Sequence, residues 1–392
     1  HARDMAISKA SFLNIPINLV TAVPSQETFY NIKKGKFLVT RLHKRYLDAK
    51  LPNHEIIKVN QGSSKKNLWI SQKIIDKVNE HLNKKDQVLF FVNRRGFSPF
   101  VLCKNCLKPH SCPNCSINLV YHKRKGKLIC HYCGFKSSLS RTCEKNKTCE
   151  YIFSGPGVEK VYEEVKNIFN GNKIEIFSSD TMNKKSSTNI LENIINNKIN
   201  ILIGTQLISK GFHFPNLNCI IVLDIDISLR GYDLRVAEKN LQLYHQLSGR
   251  AGRAGKPATV YFQTFKNNSN IISQITNSDP NKFLETELDL RRKNSLPPFE
   301  RFIAIIISGK KEKKVEELSN HLKEILEKKL NARILGPVVA PILKIKNNYR
   351  YRILIRSKKS ENIQKNLSTI LNKFKKQTEI KLVVDVDPIS FN

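Results

Sequence analysis

"ILIGTQLISKGFHFPNLNCIIVLDID", residues 201–226, decides how the chain reads. It holds two short apolar runs rich in β-branched residues, Ile201–Ile203 and Cys219–Leu223, joined by a polar loop. Runs of this length and composition are buried strands. The signature recurs on both sides. "QVLFFVNRRG" (87–96), "EYIFSGPG" (150–157), "KIEIFSSD" (173–180) and "TVYFQTF" (259–265) read as further strands. "VEKVYEEVKNIF" (158–169) and the first part of "AEKNLQLYHQLSGRAG" (237–252) read as helices. Strands alternating with helices predict a parallel α/β sheet. Functional loops of such sheets lie beyond the carboxyl ends of the strands. The loops after Val92, Ile203 and Leu223, together with helix 238–248, are therefore candidates for one site.

Past "FKNNSN", near residue 270, the pattern changes. A polar helix, "DPNKFLETELDLRRKNS", leads into "LPPFE". Then come strand, helix, strand, strand, helix and strand: "RFIAIIIS", "KVEELSNHLKEILEKKL", "ARILGPV", "YRYRILIRS", "NIQKNLSTILNKFKK" and "KLVVDVDP". That order predicts a small α+β split-βαβ domain. Within "YRYRILIR", alternation puts Arg350, Arg352 and Arg356 on one face and Tyr351, Ile353 and Ile355 on the other. The arginine face reads equally as a nucleic-acid surface or as an ordinary solvated face.

The 392 residues have room for two or three domains. The formal net charge is +34, which favours a polyanionic partner. Lysine, asparagine and isoleucine are abundant throughout, and that bias alone raises the lysine count. No uninterrupted apolar run approaches the roughly 20 residues that span a bilayer, so no membrane partner is expected. The chain begins "HARDMAISKA" without a leading Met or a secretory signal, and the expected location is cytoplasmic.

Eight of the nine cysteines lie between Cys103 and Cys149. They form "CKNC" (Cys103, Cys106), "CPNC" (Cys112, Cys115), "CHYC" (Cys130, Cys133) and the looser "CEKNKTC" (Cys143, Cys149). A CxxC pair lets two thiolates converge on one tetrahedral zinc, and eight thiolates complete two Cys₄ sites. Closed sites of this kind are structural, and zinc supplies folding energy to a segment poor in large apolar residues. The alternative, a redox dithiol, does not account for three such pairs in one insert. Cys219 reads as a small buried core residue.

Arg250 and Arg253 stand three apart in "QLSGRAGRAG", where both could reach one anionic point. An arginine so placed can stabilise a transferring γ-phosphoryl group. "GTQLISKGF" adds Thr205 and Lys210, and "FVNRRGF" adds Arg94 and Arg95.

Taken in order, "LFFVNRRGFSPFVLC", the cysteine insert, "ILIGTQLISKGFHFPNLNCIIVLDID", "DLRVAEKNLQLYHQLSGRAGRAGK", "LPPF", "LGPV" and "DVDP" carry a resemblance. The chain resembles, over essentially all its residues, the carboxyl-terminal part of the primosomal protein N′ (PriA) family, bacterial replication-restart helicases of superfamily two. The resemblance implies the RecA-like second helicase lobe at 48–101 and 151–270, with a remnant of the first lobe at 1–47. It also implies a two-zinc insert at 102–150 and a DNA-binding domain at 271–392. The implied activity is ATP-dependent 3′-to-5′ DNA unwinding in replication restart and primosome assembly. Forked or single-stranded DNA, primosome proteins and single-stranded-DNA-binding protein are the implied partners. By resemblance the zincs are nested: one on Cys103, Cys106, Cys143 and Cys149, the other on Cys112, Cys115, Cys130 and Cys133. Gln246, Arg250 and Arg253 match the motif that meets ATP. Gly204, Thr205, Lys210 and Gly211 match the motif that couples DNA to nucleotide. Arg94 and Arg95, with Arg350, Arg352 and Arg356, are the expected DNA contacts.

Three departures stand out. Five residues separate Cys143 from Cys149, where the family has CxxC. "VTAVPS" stands where the family has a Gly-Ser-Ala-Thr-Pro-Ser string, so Val20 replaces its first Gly and Val23 its Thr. No G-x-x-x-x-G-K-[ST], D-E-x-H or D-E-x-D string occurs. The expectation is that ATP and Mg²⁺ bind only with a first lobe outside this sequence. The other reading is a non-catalytic, zinc-containing DNA- or primosome-binding fragment.

Overall fold

The computed structural model describes residues 2–42, 51–59, 69–92, 100–103, 110, 112–113, 119–122, 126–129, 135–139, 151–154, 157–178, 184–209, 214–223, 225, 234–252, 256–264, 270–277, 279–376 and 380–389. In chain order the helices are α1 (Ala2–Leu13), α2 (Gln26–Lys33), α3 (Gln72–Asn83), α4 (Val158–Ile168), α5 (Lys184–Ile195), α6 (Val236–Ser248), α7 (Asn270–Thr276), α8 (Pro280–Lys293), α9 (Glu312–Lys329) and α10 (Gln364–Lys376). The strands are β1 (Asn53–Lys58), β2 (Gln87–Phe91), β3 (Phe100–Cys103), β4 (Val120–His122), β5 (Lys127–Ile129), β6 (Lys136–Ser137), β7 (Tyr151–Ser154), β8 (Ile174–Phe177), β9 (Ile201–Gly204), β10 (Leu217–Val222) and β11 (Thr259–Thr264). β12 (Glu300–Gly309), β13 (Arg333–Ile345), β14 (Asn348–Lys358) and β15 (Lys381–Val386) follow.

The parallel sheet expected from the sequence has six strands in the order β1-β11-β10-β2-β9-β8, with every pair parallel. Its inner strands β2, β9 and β10 are buried on both faces because helices cover both. Val88, Phe90, Ile201, Ile203, Cys219 and Ile221 pack against Ile74 and Val78 of α3 and Val161 and Val165 of α4. The alternate residues Leu89, Phe91, Leu202, Ile220 and Val222 pack against Leu241, Tyr244 and Leu247 of α6 and Phe283 and Leu284 of α8. A period of two in each strand thus feeds two cores. Val23 and Phe29, from the amino-terminal segment, are buried in the second of them.

The carboxyl-terminal sheet is antiparallel, in the order β13-β14-β12-β15. This is the split-βαβ order. Ile303, Ile305, Ile307, Tyr351, Ile353 and Ile355 meet Val315, Leu322 and Leu326 of α9 and Leu367 and Phe374 of α10. The cysteine-rich region branches out between β3 and β7, which pair antiparallel, and holds the small β4-β5-β6 sheet.

A buried cluster of charges joins these parts. Arg235, just before α6, forms a two-pronged pair with Glu27 of α2: Nη1 lies 2.9 Å from Oε2 and Nη2 2.7 Å from Oε1. Its Nε donates to the Pro388 carbonyl at 3.2 Å, just beyond β15. Arg291 of α8, 1% exposed, donates to Glu238 of α6 at 3.1 Å, to Glu287 at 2.7 Å and to the Pro297 carbonyl at 3.3 Å. Burial opposes the charge on Glu27, but the bond and charge of Arg235 outweigh it and lower its pKa to about 2. Burial, then the neighbouring Glu27, pushes Glu238 up. Removing one partner of such a cluster strands a buried charge, at about 3–5 kcal/mol. Arg291→Ala is therefore expected to destabilise the protein by that amount in urea unfolding followed by circular dichroism. A loss below about 1 kcal/mol would show that the cluster is not a structural hub.

Candidate functional site

The parallel register aligns Phe91, Gly204 and Val222 in one row at the carboxyl edge of the sheet. From that row the chain enters three loops. Val92 N donates to the Gly204 carbonyl at 2.9 Å and Leu223 N to Phe91 at 3.4 Å, so the loop stems are held together. Thr205, 4% exposed, sits at the start of a 3-10 turn over Gln206–Ser209, and Ile208 N donates to its carbonyl at 3.0 Å. Gly204 is closely packed: a Cβ there would lie 3.0 Å from Ile208 Cδ1 and 3.3 Å from Leu89 Cδ1. Arg94, Arg95, Lys210 and Gly211 lie outside the described residues.

The arginine turn occupies the opposite edge. α6 follows β10 and runs back along the sheet, so its last residues lie where β10 begins. Gly252 N donates to the carbonyl of Leu217, the first residue of β10, at 3.2 Å. Gly252 adopts φ +68°, a conformation that costs an L-residue about 1–2 kcal/mol. Ala251 is fully buried and pins the turn, while Arg250 is half-buried and Gln246 is exposed. Arg253 lies outside the described residues. The sequence reading gathered the Thr205 loop and the arginine turn into one site. The structure separates them by the length of β10, about 17 Å.

Beside the arginine turn sits a histidine pair that sequence reading missed. His54, at the start of β1, lies 2.9 Å from Ser248 Oγ and 2.5 Å from the Thr276 carbonyl. Its ring is 6.2 Å from that of His245, edge to face. Burial, then His54, lowers the His245 pKa from 6.5 to about 4. Nothing in the local sequence flags this pair, because its members lie 191 residues apart in the chain (245 − 54).

In the cysteine-rich region, β3 pairs with β7 so that Cys103 stands opposite Tyr151. Cys112 is buried with Val101, Leu119 and Leu128, a very small apolar cluster. Among the described residues, Tyr121, Phe135, Leu139 and Ile345 pack against this cluster. Cys106, Cys115, Cys130, Cys133, Cys143 and Cys149 lie outside the described residues.

On β14 the expected alternation is present: Tyr351, Ile353 and Ile355 are buried, and Arg350, Arg352 and Arg356 share the other face. Arg356 is engaged there by Glu300, with Nε at 3.1 Å and Nη2 at 3.0 Å, and by the Ser295 carbonyl at 3.0 Å. Burial lowers the pKa of Arg352. Among the described residues, no helix is long and apolar enough to cross a membrane.

Comparison with known proteins follows the same parts. Residues 292–389 match the family described as Primosomal protein N C-terminal domain. Residues 112–137 match the PriA DNA helicase Cys-rich region domain, a zinc-ribbon family, which supports zinc as the metal of this segment. The whole chain is 39% identical over 393 aligned residues to Replication restart protein PriA of Rickettsia felis, and covers 60% of that protein. It is 31% identical to the protein of the same name from Bacillus subtilis over 99% of this chain and 49% of that protein. The chain thus spans about half to three-fifths of the length of these curated relatives. A solved structure of RecG bound to a three-way DNA junction is similar at 12% identity and a TM-score of 0.35, over 62% of this chain and 23% of that one.

The histidine pair sets a pH dependence. A histidine whose pKa is lowered by folding adds stability above its ordinary value of 6.5, and loses it as pH falls towards about 4. Stability is expected to fall by up to about 3 kcal/mol across that window. His245→Gln should flatten the fall in denaturant titrations run at successive pH values. An unchanged slope in the variant would assign the effect to other groups.

Proposed function

We infer that this chain, similar along its whole length to Replication restart protein PriA of several bacteria, corresponds to the carboxyl-terminal part of that protein. We propose that it is the second motor lobe, zinc insert and C-terminal DNA-binding domain of an ATP-dependent 3′-to-5′ DNA helicase of replication restart. The single observation that carries this reading is the whole-length match. The lobe takes in 48–101 and 151–270, the insert 102–150 and the C-terminal domain 271–392, with 1–47 continuing from a first lobe.

In this reading the two edges of the parallel sheet divide the work. The turn bearing Arg250 and Arg253 faces the nucleotide, with Gln246 on the last turn of α6. Arginine there offsets the charge that develops on a transferring phosphoryl group, a contribution on the order of 10³–10⁵ in rate. The carboxyl edge faces DNA through Arg94, Arg95, Thr205, Lys210 and Gly211. Helix α6 spans the two, about 20 Å for 13 residues, and its far end is locked to Glu27 and Arg291. That rigid connection is what supports a coupling role for it. ATP and Mg²⁺ would be shared with a first lobe that supplies the phosphate loop and the acidic residues. Two structural zincs would be held by Cys103, Cys106, Cys143 and Cys149 and by Cys112, Cys115, Cys130 and Cys133. Forked or single-stranded DNA, primosome proteins and single-stranded-DNA-binding protein are the proposed partners. Arg350 and Arg352 stand on the C-terminal face proposed to meet DNA.

One feature favours the second reading, a DNA- or primosome-binding fragment without hydrolysis. Val23, where the family has a Thr, is 3% exposed and packed in the core, with Gln242 Nε2 3.4 Å from its carbonyl. An apolar side chain there cannot relay a hydrogen bond from nucleotide to DNA.

Three measurements test these statements. The purified chain should bind forked DNA with an affinity that falls steeply with salt, and absence of binding at low salt overturns the proposal. The same preparation should show no ATP hydrolysis with or without DNA, since it holds no G-x-x-x-x-G-K-[ST] string. DNA-stimulated turnover would refute that. Metal analysis should find two zincs per chain, and one in Cys149→Ser. A single zinc in the unaltered chain would remove the nested arrangement.

A further inference from the structure

The hairpin between β13 and β14 reaches away from its own sheet and rests on the cysteine-rich region. Its turn residues Lys346 and Asn347 both adopt positive φ, 48° and 62°, which gives the tight two-residue connection. Ile345 packs against the Val101, Cys112, Leu119 and Leu128 cluster. Lys344 Nζ donates to the Pro113 carbonyl at 3.2 Å and lies 5.3 Å from the centre of the Tyr349 ring. The hairpin is therefore seated at two points on the insert. Across the strands, Lys344 is opposite Tyr349, and Tyr349 is opposite Gly309, the residue before Lys310.

Beside this junction, the hairpin and Lys310 border an open cavity of about 320 Å³ lined by Lys310, Lys344, Lys346, Asn347, Asn348 and Tyr349. Three lysines line it, and among the described residues no carboxylate does. Arg350 is the next residue along β14, opposite Ser308. Ammonium groups beside amide and phenol donors suit an anionic oxygen group. The length of the basic edge suits a repeated one. Lysine ammonium groups meet phosphate oxygens whatever the base, so the part of the contact they make is independent of sequence.

We propose that the junction of this hairpin with the cysteine-rich insert is a binding site for the DNA phosphate backbone, with Lys310, Lys344 and Lys346 as its cations. The inference rests on the DNA-binding reading above and gives it a place. It adds the hairpin tip to the strand face of Arg350 and Arg352, where Arg356 is held by Glu300. The insert gains a second role, because the ledge on which Lys344 and Ile345 sit keeps the cations together.

The test uses the zinc-loaded 392-residue chain and a fluorescent forked oligonucleotide, with affinity measured over a range of salt concentrations. Each phosphate contact contributes about 0.7–0.9 to the slope of log K against log salt. Lys310→Gln/Lys344→Gln/Lys346→Gln should lower that slope by about 2. Lys328→Gln/Lys329→Gln/Lys365→Gln removes the same charge from α9 and α10 and should leave the slope near that of the parent. The corresponding three lysine-to-arginine changes should retain it. If the triple variant fails to fold, Lys346→Gln alone, on the exposed turn, should lower the slope by about 0.7. Equal slopes for the hairpin and control variants overturn the site while leaving DNA binding intact. No binding by the unaltered chain overturns the DNA-binding reading itself.

Discussion

Two arginines buried among three carboxylates hold this molecule's parts in register. Arg235 and Arg291 are 3% and 1% exposed, and Glu238 is 4% exposed. Isolated, each charge would cost several kcal/mol to bury. They are tolerated because α2, the start of α6, α8 and the residues after β15 each bring a partner to the same point. Neither α2, α6 nor α8 can leave without stranding a charge, and the residues after β15 add a carbonyl to the same arginine. A hydrophobic contact can slide at small cost, but a two-pronged arginine–carboxylate pair defines distance and angle together. The clasp therefore orients α6 as well as anchoring it.

That orientation matters because α6 links the two edges of the parallel sheet. Its amino end is in the clasp and its carboxyl end carries the turn with Arg250 and Gly252. Thr205 and the neighbouring strand ends lie on the other edge, about 17 Å away along β10. The separation follows from chain geometry. A helix that crosses between parallel strands runs antiparallel to them, so it carries its last residues to the edge where the strands begin. Residues close in function need not share an edge when a rigid helix joins them.

The cysteine-rich region solves a different problem. Its described apolar cluster is small, and the C-terminal hairpin completes it through Ile345. The insert and the C-terminal sheet thus lean on each other, although more than two hundred residues separate Pro113 from Lys344. The terminal "DVDP" works similarly. Asp387 N donates to the Phe302 carbonyl at 2.7 Å, its carboxylate accepts from Phe302 N at 3.2 Å, and Pro388 receives Arg235.

What the sequence by itself determined is whatever short-range periodicity and spacing encode. The parallel sheet was legible because a strand buried on both faces is a continuous apolar run, as Ile201–Ile203 and Cys219–Leu223 are. The split-βαβ order and the two faces of "YRYRILIR" were legible for the same reason, and the cysteine pairs because a tetrahedral ion needs close thiolates. What only the tertiary structure decided are relations between distant residues. Glu27 and Arg235 look like ordinary surface charges in a chain with 100 Lys, Arg, Asp and Glu residues (67 + 33), and only packing reveals that they are buried together. His54 and His245 meet because β1 lies beside β11. The arginine turn falls on the far edge because α6 runs back along the sheet. Periodicity specifies which face a residue presents. Which partner that face meets depends on chain reversals and strand order, and these are encoded by no local pattern.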